Sequence, residues 1–348
     1  MIQRVNSPSP RTLLIRKHFT PSQLGAEIGP FHSPLCPKSE GFNCLVVDAF
    51  SREQLLKDYA HDTYVMDRAG SIEDVDIVST QPLGEALAAY AQQPAAKIAS
   101  NTACISYIVS SHNFEHQPNP IRFLQDAETA IRPGGYLVMA IPIASRCFDC
   151  FQPLSRTGEF IDAYYLQKTK PSVGSVFDHQ ASSSKLLNAE GINDQTYDFD
   201  KVVVNAFNGV INEETYNASK QSAEASYIDS HCWRLNPFQF ELIFSDLLAC
   251  GFINHLSIAE SIVHGSEFVV YLQRTEAANS DVAFTAERRT ELLKKSIEFQ
   301  FSDLLQKHLA MRDNSPTRAE GNRLADTPPS GSGLKAKLKR VMRKIVAQ

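Results

Sequence analysis

The chain alternates short, almost wholly apolar runs with helix-length segments whose apolar positions recur every three or four residues. The pattern is clearest from Ile105 to Pro142, where two β-rich runs, Ile105 to Ser110 and Tyr136 to Ile141, flank a segment from Pro118 to Ile131. Within that segment Ile121, Leu124, Gln125, Glu128 and Ile131 recur at helical spacing. Pro118 and Pro120 stand at its start and Pro133-Gly134-Gly135 lies just past its end, so the pattern predicts a βαβ unit. Strands apolar almost throughout belong to a parallel sheet covered on both faces, which puts this unit at the sheet's centre. In an open α/β sheet ligands gather beyond the carboxyl ends of the strands, and that edge carries Ser110-Ser111-His112-Asn113-Phe114-Glu115-His116.

The same reading extends in both directions. Leu24 to Phe31 reads as a strand running into a tight turn, and Cys44 to Asp48 as the next strand, with Ser51 as N-cap of a helix through Tyr59. Val75 to Thr80 is a third strand and Leu83 to Ala91 a helix. Far downstream, Asn236 to Leu248 is a helix opened by Asn236-Pro237 and ended before Gly251, and Phe252 to Ala259 with Glu267 to Leu272 forms an antiparallel hairpin. Residues 1–22 read as an irregular lead-in with room for one short helix. Residues from about 145 to 234 interrupt the strand–helix alternation as an insertion, where loops vary over a fixed scaffold. Thr285 to Met311 is an amphipathic helix with Leu293, Ile297, Phe301, Leu304, Leu305 and Leu309 on one stripe. That stripe suits packing back on the domain, or pairing with a second copy as a homodimer. Residues 312–333, rich in Pro, Ser, Gly, Asn and Asp, read as a flexible linker. In the tail, 334–348, Leu334, Leu338, Val341, Met342 and Ile345 share one face and six basic residues fill the other, which suits peripheral contact with an anionic membrane or with an acidic protein.

Composition narrows the function classes. With 348 residues, 43% apolar and 21% charged, the chain is an ordinary globule able to bury a full core, and a net charge of −5 argues against nucleic-acid binding. No run of about 18 apolar residues is present and the N-terminus lacks a secretory core, so the expected location is cytoplasmic, with the basic tail at the inner face of the cell membrane as an addition. Seven cysteines without a regular framework suit reduced thiols. Cys147 and Cys150 make one Cys-x-x-Cys, short of the four ligands structural zinc requires, and no metal is expected.

A strand ending in Ser-His-x-x-Glu-His, a proline-rich helix start and Arg132-Pro133-Gly134-Gly135-Tyr136-Leu137 before another strand resemble the central half of class I S-adenosylmethionine-dependent methyltransferases. More narrowly, the chain is similar to methyltransferase-domain proteins associated with bacterial surface-glycan biosynthesis, over residues 23–274. The resemblance implies an α/β fold: a Rossmann-like sheet, mostly parallel with its last strand antiparallel, helices on both faces, and here a C-terminal helical extension. It implies S-adenosyl-L-methionine as cofactor. Glu27-Ile28-Gly29 fits the acidic-x-Gly start of the first strand, where glycine lets the backbone approach the cofactor's methionine end. The continuation Pro30-Phe31 departs from the usual glycines and removes an amide donor, but matches the narrower group.

Asp48, about 20 residues after Gly29, stands where a carboxylate takes ribose hydroxyls; a helix cap is its other reading. Ser111 lines the same edge, and Thr80-Gln81-Pro82 replaces the acidic residue that relatives carry near the adenine. Methyl transfer requires alignment and removal of one proton, so His112, His116, His179 and His231 are candidate bases, each with a structural alternative. Asp178 and Trp233, in Phe-Asp-His and Asp-x-His-Cys-Trp, are candidates for holding the acceptor, with a core anchor as the tryptophan's other reading. The expected activity is O-methylation of a sugar or glycan precursor. Two alternatives stand beside it: a catalytically inactive scaffold in a glycan-assembly complex, and transfer to a small carboxylic acid or to protein.

Overall fold

A computed structural model describes residues 8–99, 103–186, 202–204, 206–278 and 284–314. The parallel strands are β1 (Gly25–Ile28), β2 (Cys44–Asp48), β3 (Ile77–Val78), β4 (Ile105–Ser111) and β5 (Ile131–Pro142), and a hairpin of β8 (Leu256–His264) and β9 (Glu267–Arg274) joins them. The sheet runs β3-β2-β1-β4-β5-β9-β8, with β9 antiparallel to both neighbours. This is the Rossmann-like methyltransferase arrangement the resemblance implies. Its carboxyl edge brings the ends of β1, β2 and β4 side by side, since Ile28 pairs with both Val47 and Ser110.

Three strands differ from their expected bounds: β3 is only two residues long, β8 starts at Leu256 rather than Phe252 and runs on to His264, and β5 starts five residues early. Arg132 to Gly135, read as a turn before the strand, lie inside β5 as a bulge: Ile105 pairs with Ile131, yet Tyr107 pairs with Tyr136. Gly134 takes φ +78°, which a side chain disfavours, and a Cβ at Gly135 would stand 2.5 Å from Ser106 O.

Helices cover one face: α4 (Leu83–Tyr90), α5 (Pro120–Ala130), α6 (Thr157–Tyr165) and α9 (Pro237–Ala249) bury Ala26, Leu45, Ile108, Leu137 and Met139 beneath Phe114, Phe160, Phe240 and Phe244. Proline at the first turn and an asparagine N-cap start both α5 and α9. On the β2 side, α2 (Arg52–Asp58) and α3 (Thr63–Met66) bury a smaller cluster of Leu55 and Val65. The opposite face is covered by the lead-in. There α1 (Pro10–Ile15), capped by Ser9, buries Ile15 fully, and Phe19 stacks on Tyr107 with ring centroids 3.8 Å apart. These residues join Leu35, Phe42, Val109, Val138, Val269 and Tyr271 in a second core. The lead-in, with the one short helix for which its sequence had room, packs on this face of the sheet.

The insertion holds more helix than its polar sequence suggested. Alongside α6 it contains α7 (Val173–Ser182), capped by Ser172, and α8 (Glu213–Ala225), where Asn212 and Thr215 form a reciprocal cap. Two short strands, β6 (Ser184–Leu186) and β7 (Val202–Val204), pair antiparallel. In α8 the buried positions are Ser219 and Ala223, too small and too few to make an apolar stripe readable in the sequence.

The last helix among the described residues, α10 (Ala286–Asn314), continues past the expected start of the linker at 312. Its inward positions are Leu292, Ser296 and Asp303, whereas Leu293, Ile297 and Phe301 of the predicted stripe are exposed. Polar contacts decide the orientation. Ser296 meets Asn236 and Gln239, and Asp303 accepts from Ser145 Oγ at 2.6 Å and pairs with Arg146 at 2.8 Å. A first compact unit comprises Met1–Ala310. The rest of the linker and the basic tail, 315–348, lie outside the described residues, as do residues 1–7. Among the described residues no helix is long and apolar enough to cross a membrane.

Candidate active site

Three strand ends form the site. The Gly29 amide donates to Val47 O at 2.8 Å, which seats the turn after β1 directly beside Asp48. Gly29 has φ +60°, the left-handed region that a side chain disfavours, and a Cβ there would stand 3.7 Å from Asn113 Nδ2 in the turn after β4. The glycine thus lies between the β2 and β4 ends. Asp48 is half-buried; its Oδ1 accepts the Phe50 amide at 3.1 Å, and burial raises its pKa above the ordinary value despite that bond.

Glu27 acts one layer below. It is buried, and its two carboxylate oxygens accept the amides of Leu35 and Cys36 at 2.7 and 2.8 Å. Burial pushes its pKa up to about 7, more than those two amides pull it down. Glu27 therefore anchors the loop that follows Gly29 rather than presenting its carboxylate to the cleft. Within that loop Phe31 takes φ +44° and its ring sits 4.7 Å from Tyr59 and 4.8 Å from His32, beside Pro30. Both atypical residues shape the loop.

At the end of β4 the chain turns sharply at His112, φ +49°, while its amide still donates to Ala140 O at 2.9 Å. The turn directs the imidazole to Glu267 at the start of β9, Nε2 to Oε2 at 2.8 Å. Arg11 of α1 grips the same carboxylate with Nε at 2.7 Å and Nη2 at 2.8 Å. Its Nη2 also donates to Ser111 Oγ at 2.7 Å, so Ser111 is tied to this network. Burial alone would raise the Glu267 pKa, but bonds from His112 and Arg11 outweigh it and hold the carboxyl down at about 2. For His112 burial lowers the pKa, and the bond to Glu267 with the charges of Glu115 and Glu267 outweighs it, for a net rise.

The Glu267 shift has a stability consequence. Since the folded-state value lies below the ordinary 4.5, the stabilisation is complete above about pH 4.5 and is lost as the pH falls toward 2. The shift corresponds to about 3 kcal/mol as an upper bound. Denaturant unfolding at roughly pH 6 and roughly pH 3 checks this: Glu267→Gln is expected to remove a large share of the wild-type loss of stability over that interval.

Behind His112 lies a second polar group. The turn Phe114–His116 buries Glu115 completely, and the amides of Cys232 and Trp233 donate to its backbone carbonyl at 2.7 and 3.1 Å. Those two bonds pin the end of the insertion to the sheet edge. They bring His231 Nε2 to 3.8 Å from Glu115 Oε1, with His116 Nε2 at 3.7 Å and His112 Nδ1 at 4.0 Å. His231 Nδ1 meets Asp149 Oδ2 at 2.5 Å, and its backbone amide donates to His179 Nδ1 at 3.3 Å. Three of the four sequence-selected histidines, His112, His116 and His231, thus converge on the Glu115 carboxylate, and His179 stands behind His231.

The two acceptor-side candidates border one recess. Trp233 is nearly buried: its indole packs on Phe160 at 4.4 Å and donates Nε1–H to Gln117 O at 2.6 Å, and it borders the recess that Asp178 lines. Asp178 is exposed on α7 and lines a recess of about 260 Å³ with Lys168, Ser175 and Arg234. Sequence reasoning missed Arg11, Asp149 and Glu267, and quoted Glu115 without a role. Glu267 did carry a signal, an acid heading the apolar run Phe268 to Leu272. Arg11, in a lead-in with several other basic residues, carried none.

Residues 23–189, just under half of the chain, match a family model described as a methyltransferase domain. No curated protein matches the chain significantly. Among solved structures, the CcbJ methyltransferase from Streptomyces caelestis is 11% identical, with 77% of this chain and 91% of that one covered and a TM-score of 0.38. S-adenosylmethionine-dependent methyltransferases from Aquifex aeolicus and Methanosarcina mazei are also similar. They are 12% and 11% identical, with 77% of this chain covered in both cases and 94% and 99% of theirs, at TM-scores of 0.33 and 0.31.

Proposed function

We propose that the methyltransferase domain carried by residues 23–189, with the strands that close its sheet, methylates a hydroxyl of a sugar or glycan precursor. S-adenosylmethionine is the cofactor. The observation that carries the reading is the juxtaposition at one sheet edge of the Gly29 turn, the Asp48 carboxylate and His112. Gly29 offers backbone without a Cβ to the cofactor's methionine end, and Asp48 offers the ribose hydroxyls a carboxylate whose ionised form burial makes costly.

The cofactor supplies an activated methyl group; the protein must align the acceptor and take its proton. His112 is the base this reading selects. Its Nε2–H points at Glu267, which fixes the tautomer and leaves Nδ1 as proton acceptor, and its side chain is 48% exposed, the most open of the ring-bearing groups around Glu115. A sugar or glycan precursor as acceptor is supported by the resemblance of Gly29-Pro30-Phe31, Phe177-Asp178-His179 and Asp229-Ser230-His231-Cys232-Trp233 to the surface-glycan group.

Calorimetric titration with S-adenosylmethionine tests the reading. Saturable heat is expected from the wild type, and Asp48→Ala is expected to weaken binding roughly tenfold or more, since it removes charge-assisted hydrogen bonds. A wild type that binds no cofactor at high micromolar concentration returns the chain to the scaffold reading. One feature favours that second reading: Pro30 removes an amide donor right after the glycine turn.

A further inference from the structure

We infer that Glu115 Oε1, His116 Nε2 and His231 Nε2 form a binding site for a divalent transition-metal ion, with zinc as the best match. These three atoms lie within 4.8 Å of one another, at 3.7 Å from the carboxylate oxygen to His116 and 3.8 Å to His231. Ligands of a tetrahedral zinc, each at about 2.0–2.1 Å from the ion, stand roughly 3.3 Å apart, so small side-chain adjustments close the set. Two imidazoles and one carboxylate are a donor set zinc takes where it keeps a fourth position for water or another oxygen.

Three further features point the same way. Glu115 is fully buried, yet neither of its carboxylate oxygens has a hydrogen-bond partner among the described residues. A buried carboxylate without donors is disfavoured unless a positive charge compensates it, and the nearest cationic groups are the histidines themselves. The outer nitrogen of each proposed histidine ligand faces a second carboxylate. His231 Nδ1 meets Asp149 Oδ2 at 2.5 Å, and His116 Nδ1 lies 2.8 Å from Asp229 Oδ1, in ion-pair rather than in-line geometry. A carboxylate behind a histidine sets the tautomer that turns the other nitrogen's lone pair toward a metal. Finally, the backbone bonds from Cys232 and Trp233 to Glu115 O hold the His231 segment in register with Glu115 whatever the side chains do.

The neighbouring donor sets do not compete. Cys147, Asp149 and His231 also lie close together, but the 2.5 Å Asp149–His231 bond leaves no room for an ion between them. Cys150, the other half of the Cys-x-x-Cys, pairs with Ser184 Oγ at 3.0 Å. Glu27, Cys36 and Cys44 form a third group, whose carboxylate oxygens are both occupied by amides. The site departs from the sequence expectation of no metal because its ligands come from two segments more than a hundred residues apart, without a short ligand motif.

The experiment uses the purified full chain, free of any histidine tag, stripped with a chelator and titrated with zinc against a chromophoric competitor. Metal content is read by mass spectrometry and fold by circular dichroism. The expected result is one zinc bound per chain, lost in Glu115→Gln and in His116→Gln. His116 is partly exposed, so its variant keeps the test valid if the Glu115 variant fails to fold. Asp149→Asn is expected to bind roughly 10–100-fold more weakly. Cys147→Ser is expected to bind as the wild type does. The proposal is overturned if the wild type retains no zinc, if His116→Gln binds it undiminished, or if Cys147→Ser alone loses it. None of these readouts depends on methyl transfer.

Discussion

Replacing His112 by alanine is expected to lower kcat roughly a hundredfold or more while leaving S-adenosylmethionine affinity within about twofold of the wild type. The two parts of this expectation come from separate parts of the edge. Cofactor contacts are assigned to the Gly29 turn and Asp48, whereas His112 stands on the neighbouring strand end, turned by φ +49° toward Glu267. A general base contributes about 10²–10⁴ in rate, and its loss falls on the chemical step rather than on binding. Single-turnover rates of methyl transfer, with calorimetric cofactor titration beside them, make the comparison. An unchanged rate would move the proton acceptor elsewhere and sink the assignment of His112.

The largest loss of stability is expected at Gly25, where alanine should cost about 3 kcal/mol or more. A Cβ there would lie 2.0 Å from Cζ of Tyr107, a contact no real structure sustains. Tyr107 cannot swing aside cheaply: it is fully buried, and its ring is stacked at 3.8 Å on Phe19. The strand positions are also fixed, because Gly25 pairs with both Cys44 and Tyr107 in the sheet. Something must give, either the β1–β4 register or the tyrosine rotamer. Denaturant midpoints of Gly25→Ala and of Gly25→Ala with Tyr107→Leu form the check. The double variant is expected to recover part of the loss, and a single variant as stable as wild type would refute the steric account.

Much of the sheet was legible because its signals are local. Ile105–Ser111 and the helix after Pro120 announce themselves by apolar runs and proline, and the Gly29–Asp48 spacing survives as the neighbouring ends of β1 and β2. What escaped is of a different kind. Arg11 and Glu267 are 256 positions apart and meet only because β9 inserts next to β5 and α1 crosses the second face. The orientation of α10 escaped for a related reason. Its apolar stripe is the louder signal, but Ser296 and Asp303 find buried polar partners on α9 and after β5, and an unsatisfied partner there costs more than an exposed Ile297. Trp233 stays open between its two readings, because a lone tryptophan reads the same in sequence whether it faces a ligand or the core, and here it is nearly buried yet borders a recess.

The grip of Arg11 on Glu267 also sets an order in time. During synthesis the arginine emerges 256 positions before the glutamate, so the partner that orients His112 is missing until β9 has been made. Until then the lead-in has half a sheet to cover and no anchor at that edge. The contact among Arg11, Glu267 and His112 therefore forms only once β9 has entered the sheet beside β5 and α1 lies across the second face.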